Sequence, residues 1–573
     1  METLRRHLPL LRSLQDYRSA TLKDDLIAGL TTAIMLIPQA MAYAMLAGLD
    51  PIVGLYASTV PLVLYALFGT SRQLAVGPVA MVSLLVASGI GAAVATGGVA
   101  GDPASIAGLA ALLMLMVGVM QLGMGLVRLG FLVKFLSHPV IAGFTSAAAL
   151  IIGFSQLKHV LGVNIPRSHH VHTILLEAVR QAGDINWLTF GLAAASVAAL
   201  MSLKRFAPRF PRFLLVVAGG ALAVWGLGLD SLGVAIVGEV PSGLPAPSLP
   251  SLDLASVQAL LPIAVTIALV GFMESISVAK NFARAAGYEL DADQELKGLG
   301  LANIGGAFFG GYPVTGGFSR TAVNAQAGAR TGVAAIITAA VVALTLLFLT
   351  PLFYYLPKAV LAAIIMTAVF GLVDIKEARH LWHISRADLA MMGVTFAATL
   401  TLGIEQGILA GVAASLLWFV WQTSKPHVAV LGRLPGTTVY RNVKRNPKAP
   451  TAPGVLALRI DAPLYFANTA FLKATLARLE EELDAPLTAL VLDAKAISSV
   501  DASGDALLHE LVDDYLARGV EVWMAGLRGP VLDVLEASGL IEKLGQGRLV
   551  HRVHEAVDAL NPDDGLRELD GVA

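Results

Sequence analysis

The 573-residue chain contains no cysteine, so disulfides, thiolate ligands and thiol nucleophiles are excluded. Charge is scarce as well: 14% of residues are Asp, Glu, Lys or Arg, against about 25% in ordinary soluble domains. Apolar residues take their place, 56% of the chain with a mean hydropathy of +0.71. That balance excludes a soluble globular protein and points to a membrane protein. A formal net charge of −1 offers nothing to nucleic acid. The opening METLRRHLPLLRSLQDYRSATLKDD is mixed in charge and lacks the apolar centre and cleavage site of a signal peptide. The N-terminus is therefore expected on the cytoplasmic side. The sequence also lacks a nucleophile–base pair, a phosphate loop and a metal motif, so it is not read as an enzyme and no cofactor or metal is expected. His169, His170 and His172 lie in RSHHVHTILLEAVRQAG, read as a solvated loop rather than a metal site.

A membrane-crossing helix takes roughly 20 apolar residues. Fourteen candidate spans are centred near residues 37, 60, 86, 115, 143, 196, 219, 270, 302, 322, 343, 365, 395 and 413. Lys and Arg gather in cytoplasmic loops, which tests the count. With the N-terminus inside, the basic residues before Lys425 divide 19 to inside segments and 4 to outside loops, Arg320 set aside. A miscounted span would invert the bias downstream, and no inversion occurs.

From Lys425 onward the composition changes, and 16 of the 40 basic residues fall there. RNVKRNPKAPTAPG reads as a polar linker. After it, strand-like VLALRID, LTALVLDA and VEVWMAG alternate with helical ANTAFLKATLARLEEEL, GDALLHELVDDYLARG and VLDVLEASG, the pattern of a small α/β domain. The expected organisation is a cytoplasmic N-terminus (1–23), a transmembrane domain (24–424), a linker (425–453), the α/β domain (454–562) and a tail (563–573).

Seven spans followed by seven put the halves in opposite orientations, an inverted repeat. Gln39 to Pro78 and Glu274 to Pro313 are both 39 positions apart, a spacing the halves share. Within the second half, GGYPVTGGFSRTAVN (310–324) sets glycines, hydroxyls and Arg320 amid apolar segments. Non-helical backbone at membrane depth is tolerated only where protein or water covers it. AVGPVA and VTGGFSRTAVN both read as a short extended run, a glycine or proline, then a helix start. Two such helix N-termini would favour an anion through their free N–H groups and dipoles, and Arg320 would add charge. An intramembrane arginine is a functional-site hypothesis by default. Its plainer alternatives are an interior carboxylate partner or snorkelling to the membrane edge.

DDLIAGLTTAIMLIPQAMAYAMLAGLDPIVGLYAS, LFGTSRQLAVGPVAMVSLL and GGYPVTGGFSRTAVNAQAGARTG closely resemble the sulfate permease family of anion transporters, from about Asp24 to Leu560. VLDAKAISSVDASGDALLHEL resembles the STAS domain these transporters carry. The resemblance implies an α-helical polytopic membrane protein of fourteen spans, a seven-plus-seven inverted repeat split into core and gate domains, with a small cytosolic α/β STAS domain. It further implies a homodimer in the cell membrane and elevator-like transport. Its anion-site positions fall on Gln39, Tyr43, Val79, Ser319 and Arg320. Val79 departs from the aromatic residue some animal members have there.

Glu274 sits late in the apolar run LLPIAVTIALVGFMESISVAK. A carboxyl there suits proton uptake and release, and the resemblance associates an acidic residue here with coupling to protons or to sodium. Its other readings are a structural pair with Arg320 or Lys280, and a sodium ligand near Ser275 and Ser277. Ser503, in SSVDASGDAL, matches the phosphorylated position of the related anti-sigma-factor antagonists; the alternative is a helix cap made by Asp501 or Ser503. The expected function is secondary active transport of an inorganic anion, with sulfate as substrate and a proton as coupling ion. Bicarbonate, chloride or a dicarboxylate suits the same chemistry. A nucleobase permease would want acids at both half-helices, and a membrane anchor for the STAS domain would not need fourteen spans. Membrane lipid and an unidentified STAS partner complete the expected partners.

Overall fold

The computed structural model describes residues 8–14, 17–95, 102–131, 137–165, 171–207 and 212–561. His169, His170 and the tail 563–573 lie outside them. Two compact units divide within the helix Ile404–Ser424, at Ser415 and Leu416.

The first half of the larger unit holds α1 (Ser19–Ala47), α2 (Val60–Phe68), β1 (Val76–Gly77), α3 (Ala80–Ala95), α4 (Pro103–Leu126), α5 (His138–Ser155), α6 (Trp187–Phe206) and α7 (Arg212–Leu227). The second repeats the order with α8 (Leu254–Ala286), α9 (Ala292–Ala307), β2 (Thr315–Gly316), α10 (Phe318–Gln326), α11 (Val333–Leu344), α12 (Lys358–Val369), α13 (Arg386–Leu402) and α14 (Ile404–Ser424). Each expected span centre falls on one of these helices. Among the described residues, eight helical stretches are long and apolar enough to cross a membrane unaided, while α3, α7 and Leu409–Ser424 are shorter apolar helices.

The packing exchanges the halves. α1 packs on α11 as α8 does on α4; α2 packs on α11 as α9 does on α4; α3 packs on α8 as α10 does on α1. α5 with α13 and α12 with α6 make another such pair. Two bundles result, a core of α1–α4 with α8–α11 and a gate of α5–α7 with α12–α14. The core is tightest where α4 meets α9. A Cβ on Gly118 would lie 2.6 Å from the Ile304 amide and 2.8 Å from the Gly300 oxygen, and one on Gly300 would lie 2.8 Å from the Gly118 oxygen. Glycine permits that close approach between the two helices, which gains van der Waals contact where lipid gives no hydrophobic drive.

The shared 39-residue spacing does not mark equivalent backbone. Pro78 follows β1, whereas Pro313 precedes β2. The two-residue strands themselves are the equivalent elements, and they pair antiparallel, Val76 with Gly316 and Gly77 with Thr315.

In the smaller unit β3 (Val428–Arg433), β4 (Tyr440–Asn442), β5 (Val455–Ile460), β6 (Ala489–Asp493), β7 (Glu521–Ala525) and β8 (Leu549–Val550) form one sheet in the order β4-β3-β5-β6-β7-β8. β5 to β8 are parallel, and the helices α15 (Thr469–Glu481), α16 (Ala502–Ala517), α17 (Gly529–Ala537) and α18 (Val553–Leu560) lie between or after them. The stretch read as linker contains β3 and β4, and β3 joins the sheet antiparallel to β5. Its strand residues alternate between buried and half-buried, Ala429 and Leu431 facing the core; the polar run after them hid that alternation. Asp501 is the cap of α16. Its carboxylate accepts from Gly504 N at 2.8 Å and Phe466 N at 3.0 Å, while Ser503 is exposed in the first turn. The Gly504 amide, and after it that of Phe466, hold the Asp501 carboxyl below the ordinary carboxylate range.

Candidate functional site

Five of the helix starts among α1–α14 are closed by a side chain. Asp102, Asn186, Asp253, Asp291 and Ser385 accept backbone N–H bonds at the head of α4, α6, α8, α9 and α13. The starts of α1, α2, α5, α11 and α12 have no side-chain cap, and neither do those of α3 and α10. Gly317 heads α10 with no side chain to offer. At α3 the carbonyl of Val79 takes the first helical bond, from Ser83 N at 2.9 Å, and an apolar side chain stands where a cap would be. Both sets of first-turn amides are left for another acceptor.

The pairing of β1 with β2 brings these two starts together, and a polar scaffold holds the strands. Asn303 donates to Gln121 Oε1 and to the carbonyls of Leu299 and Val314, and accepts from Val314 N at 2.9 Å. Gln121 donates in turn to Ala268 O at 3.2 Å. Ser275 Oγ accepts from Gly316 N at 2.8 Å and lies 2.5 Å from Thr315 Oγ1. Thr321 Oγ1 accepts from Ala75 N and donates to Gly317 O. Tyr312 and Ser83 join the segment before β2 to α3 through hydroxyls 3.0 Å apart. Sequence reasoning missed Ser83, Gln121 and Asn303, whose signal was a polar side chain inside an apolar span; it had named Ser275 only beside a sodium site, and Tyr312, Thr315 and Thr321 only as part of the 310–324 stretch.

Gln39, Tyr43, Val79, Glu274, Ser319 and Arg320 line one pocket, with Phe318 and Met81 beside them. All five expected anion-site positions and the expected coupling residue are thus in one place. Arg320 is 1% exposed, which removes snorkelling. Its Nη1 donates to the carbonyl of Pro78. Among the described residues, its Nε and Nη2 and the Oε2 of Glu274 are buried with no hydrogen-bond partner, so Arg320 and Glu274 are not joined as a structural pair. The glycines serve the guanidinium: a Cβ on Gly317 would lie 3.0 Å from Arg320 Nη2, and one on Gly77, at φ +154°, would lie 3.4 Å from it. An arginine fork with unused donors, between two open helix N-termini, offers the donor chemistry that suits a small anion. Among the described residues no group of three His, Asp or Glu side chains could hold a metal ion.

Residues 22–395 match the model of the sulfate permease family, and residues 446–556 that of the STAS domain. The chain is 42% identical over 567 residues to sulfate transporter 4.1, chloroplastic, of Arabidopsis thaliana, covering 96% of this chain and 82% of that protein. It is 36% identical over 548 residues to a probable sulfate transporter of Mycobacterium tuberculosis, covering 95% and 96%. Among solved structures, murine SLC26A9 in the inward-facing state superposes with a TM-score of 0.90 at 26% identity, covering 97% of this chain and 94% of that one. The transmembrane domain of the cyanobacterial bicarbonate transporter BicA gives 0.60 at 26% identity, covering 70% and 98%. With the family model spanning most of the chain and the same helical order and STAS sheet in its structure, this protein belongs to the sulfate permease family of membrane anion transporters.

Proposed function

We propose that this chain is a secondary active transporter that moves sulfate together with protons across the cell membrane. The observation that carries the reading is the pair of unused buried donors on Arg320, aimed between two uncapped helix starts. A divalent tetrahedral oxyanion has enough acceptor oxygens to engage the guanidinium, both sets of amides, and the polar atoms of Gln39, Tyr43 and Ser319 at once. Val79 packs against it without a polar contact. The relatives named as sulfate transporters support the choice of cargo.

Glu274 borders the same pocket and would carry the proton, so that cargo and coupling ion share one site. Both half-helices belong to the core bundle, and the gate bundle supplies the opposite wall, including Val369. Movement of the core past the gate would carry the anion across, an elevator-like cycle. In this reading residues 24–424 transport, the N-terminus and the STAS domain (454–562) are cytoplasmic as the basic residues direct, and the protein works as a homodimer. Ser503, exposed at the head of α16, is available to a kinase.

The test is uptake of labelled sulfate into proteoliposomes of purified protein, with and without an inward proton gradient. Unlabelled bicarbonate, chloride and succinate serve as competitors. Gradient-stimulated uptake that only sulfate-like anions compete away supports the reading. Absence of sulfate uptake by well-folded protein sinks it, and sodium-driven bicarbonate uptake then becomes the rival to measure.

A further inference from the structure

A second cavity lies at the far end of the same two helices. It is lined by Arg72, Gln73, Phe282, Ala325 and Arg330, among others. Phe282 and Ala325 continue α8 and α10 away from Glu274 and Ser319, toward the helix C-termini. Between the two cavities the rings of Phe282 and Phe318 stand 6.1 Å apart, and Phe318 itself lines the anion pocket. The groove between α8 and α10 thus holds two cavities, one lined by Phe318 and the other by Phe282.

The second cavity is charged by two arginines, each fixed in place. The Arg72 guanidinium lies over the Tyr288 ring, 4.8 Å from its centroid, and its own amide donates to Tyr288 Oη. Tyr288 donates to Gln73 Oε1 at 2.7 Å, and Gln73 Nε2 donates to Ala329 O. The backbone of Arg330 is held by Asp25, which accepts from its N–H at 2.7 Å. Asp24 meets only Arg330 Nε, at 3.3 Å, so the terminal nitrogens of that fork are not used by it. The end of α10 disfavours an anion through its dipole; Arg72 and Arg330, the latter beside Asp24, set two guanidinium groups at that end.

We propose that the cavity between Arg72 and Arg330 is a second stop for the transported oxyanion, entered from solution and separated from the Arg320 pocket by the Phe282–Phe318 pair. This rests on the anion-transport reading above. A charged mouth of this kind concentrates counter-ions and raises capture rates by about 10-fold or more, with strong dependence on ionic strength. The stop binds weakly by design, because two solvent-accessible arginines must release what they collect.

The natural absence of cysteine supplies the test. Ala325→Cys places a single thiol in the second cavity of the full-length protein. Its modification rate is measured with an anionic and a cationic methanethiosulfonate of similar size, in phosphatidylcholine nanodiscs. We expect the anionic reagent to be favoured by about tenfold relative to an exposed control cysteine, sulfate to slow its reaction, and both effects to disappear in Arg72→Gln/Arg330→Gln. The double lysine variant, which keeps the charge, should retain the preference. Sulfate protection should survive Arg320→Gln, since the two stops are separate; its loss there would overturn the proposal. Preference for the cationic reagent would overturn it too. Protection by added phosphatidylglycerol in place of sulfate would assign the cavity to a lipid headgroup and overturn the transport role. Labelling requires no transport, so a failed sulfate-uptake assay would not be mistaken for failure here.

Discussion

Arg320 donates from Nη1 to the carbonyl of Pro78, so a side chain of the second half is anchored on backbone of the first. That bond fixes the fork and turns its other edge into the pocket. Arg320→Lys keeps the charge but cannot hold Pro78 and face an anion at the same time. Sulfate affinity should fall roughly 100-fold in Arg320→Ala and about tenfold in Arg320→Lys, read by titration calorimetry on protein whose melting is verified. Unchanged affinity in a folded Arg320→Ala protein would make the arginine structural.

Glu274→Gln keeps the shape of the side chain and removes its ability to exchange a proton. Uptake should lose its response to a proton gradient, while exchange of labelled for unlabelled sulfate at equal pH continues. Gradient stimulation that survives the substitution would place coupling elsewhere.

Asn303 is fully buried and satisfies both an amide and a carbonyl of Val314. Asn303→Leu would leave those groups and Gln121 Oε1 without their partner, at a cost of about 2–4 kcal/mol. The melting temperature should drop, and anion affinity should fall with it because β2 sets the start of α10. A loss of stability with sulfate affinity intact would separate the scaffold from the site.

The glycines of α4 and α9 allow an internally controlled comparison. Gly300→Ala or Gly118→Ala must push α4 from α9, destabilising by roughly 1–3 kcal/mol. A Cβ on Gly123, also on α4, would meet nothing within 4 Å, so Gly123→Ala should be neutral or slightly stabilising. Equal melting temperatures for the three variants would deny the close contact.

Asp501→Ala should lower the melting temperature of the STAS unit, and Ser503→Ala should not, since Asp501 makes the cap. A carboxyl whose folded pKa is depressed stabilises the fold above the unfolded value of about 3.9 and loses that contribution as the pH falls through the folded value. The advantage of wild type over Asp501→Asn should therefore shrink on acidification below about pH 4. An advantage that grows with acid would contradict the cap.

The helices and the site were legible in the sequence for different reasons. Apolar runs located the helices, because lipid demands them. Arg320 and the glycines stood out because such residues are costly at membrane depth. Gln39 and Tyr43 carried no such signal and came mainly from family resemblance. Asn303 and Gln121 were passed over because a single polar residue barely alters the hydropathy of a span. Which backbone groups Gln121 and Thr321 serve depends on long-range contacts, 147 positions to Ala268 and 246 to Ala75. β3 was lost for the opposite reason, a short alternating pattern beside a strongly polar run.

The ladder between Val76 and Gly316 spans 240 positions of chain. At the ribosome's pace of about 5–20 residues per second, the first strand waits roughly 12–48 s for its mate. During that interval its amides and carbonyls sit within the bilayer's reach with no partner strand, where lipid cannot satisfy them. Insertion of this protein therefore needs a hydrated or proteinaceous shelter for the first broken helix. A ribosome stalled just short of Thr315 should leave that segment open to proteases or crosslinkers that the finished molecule resists.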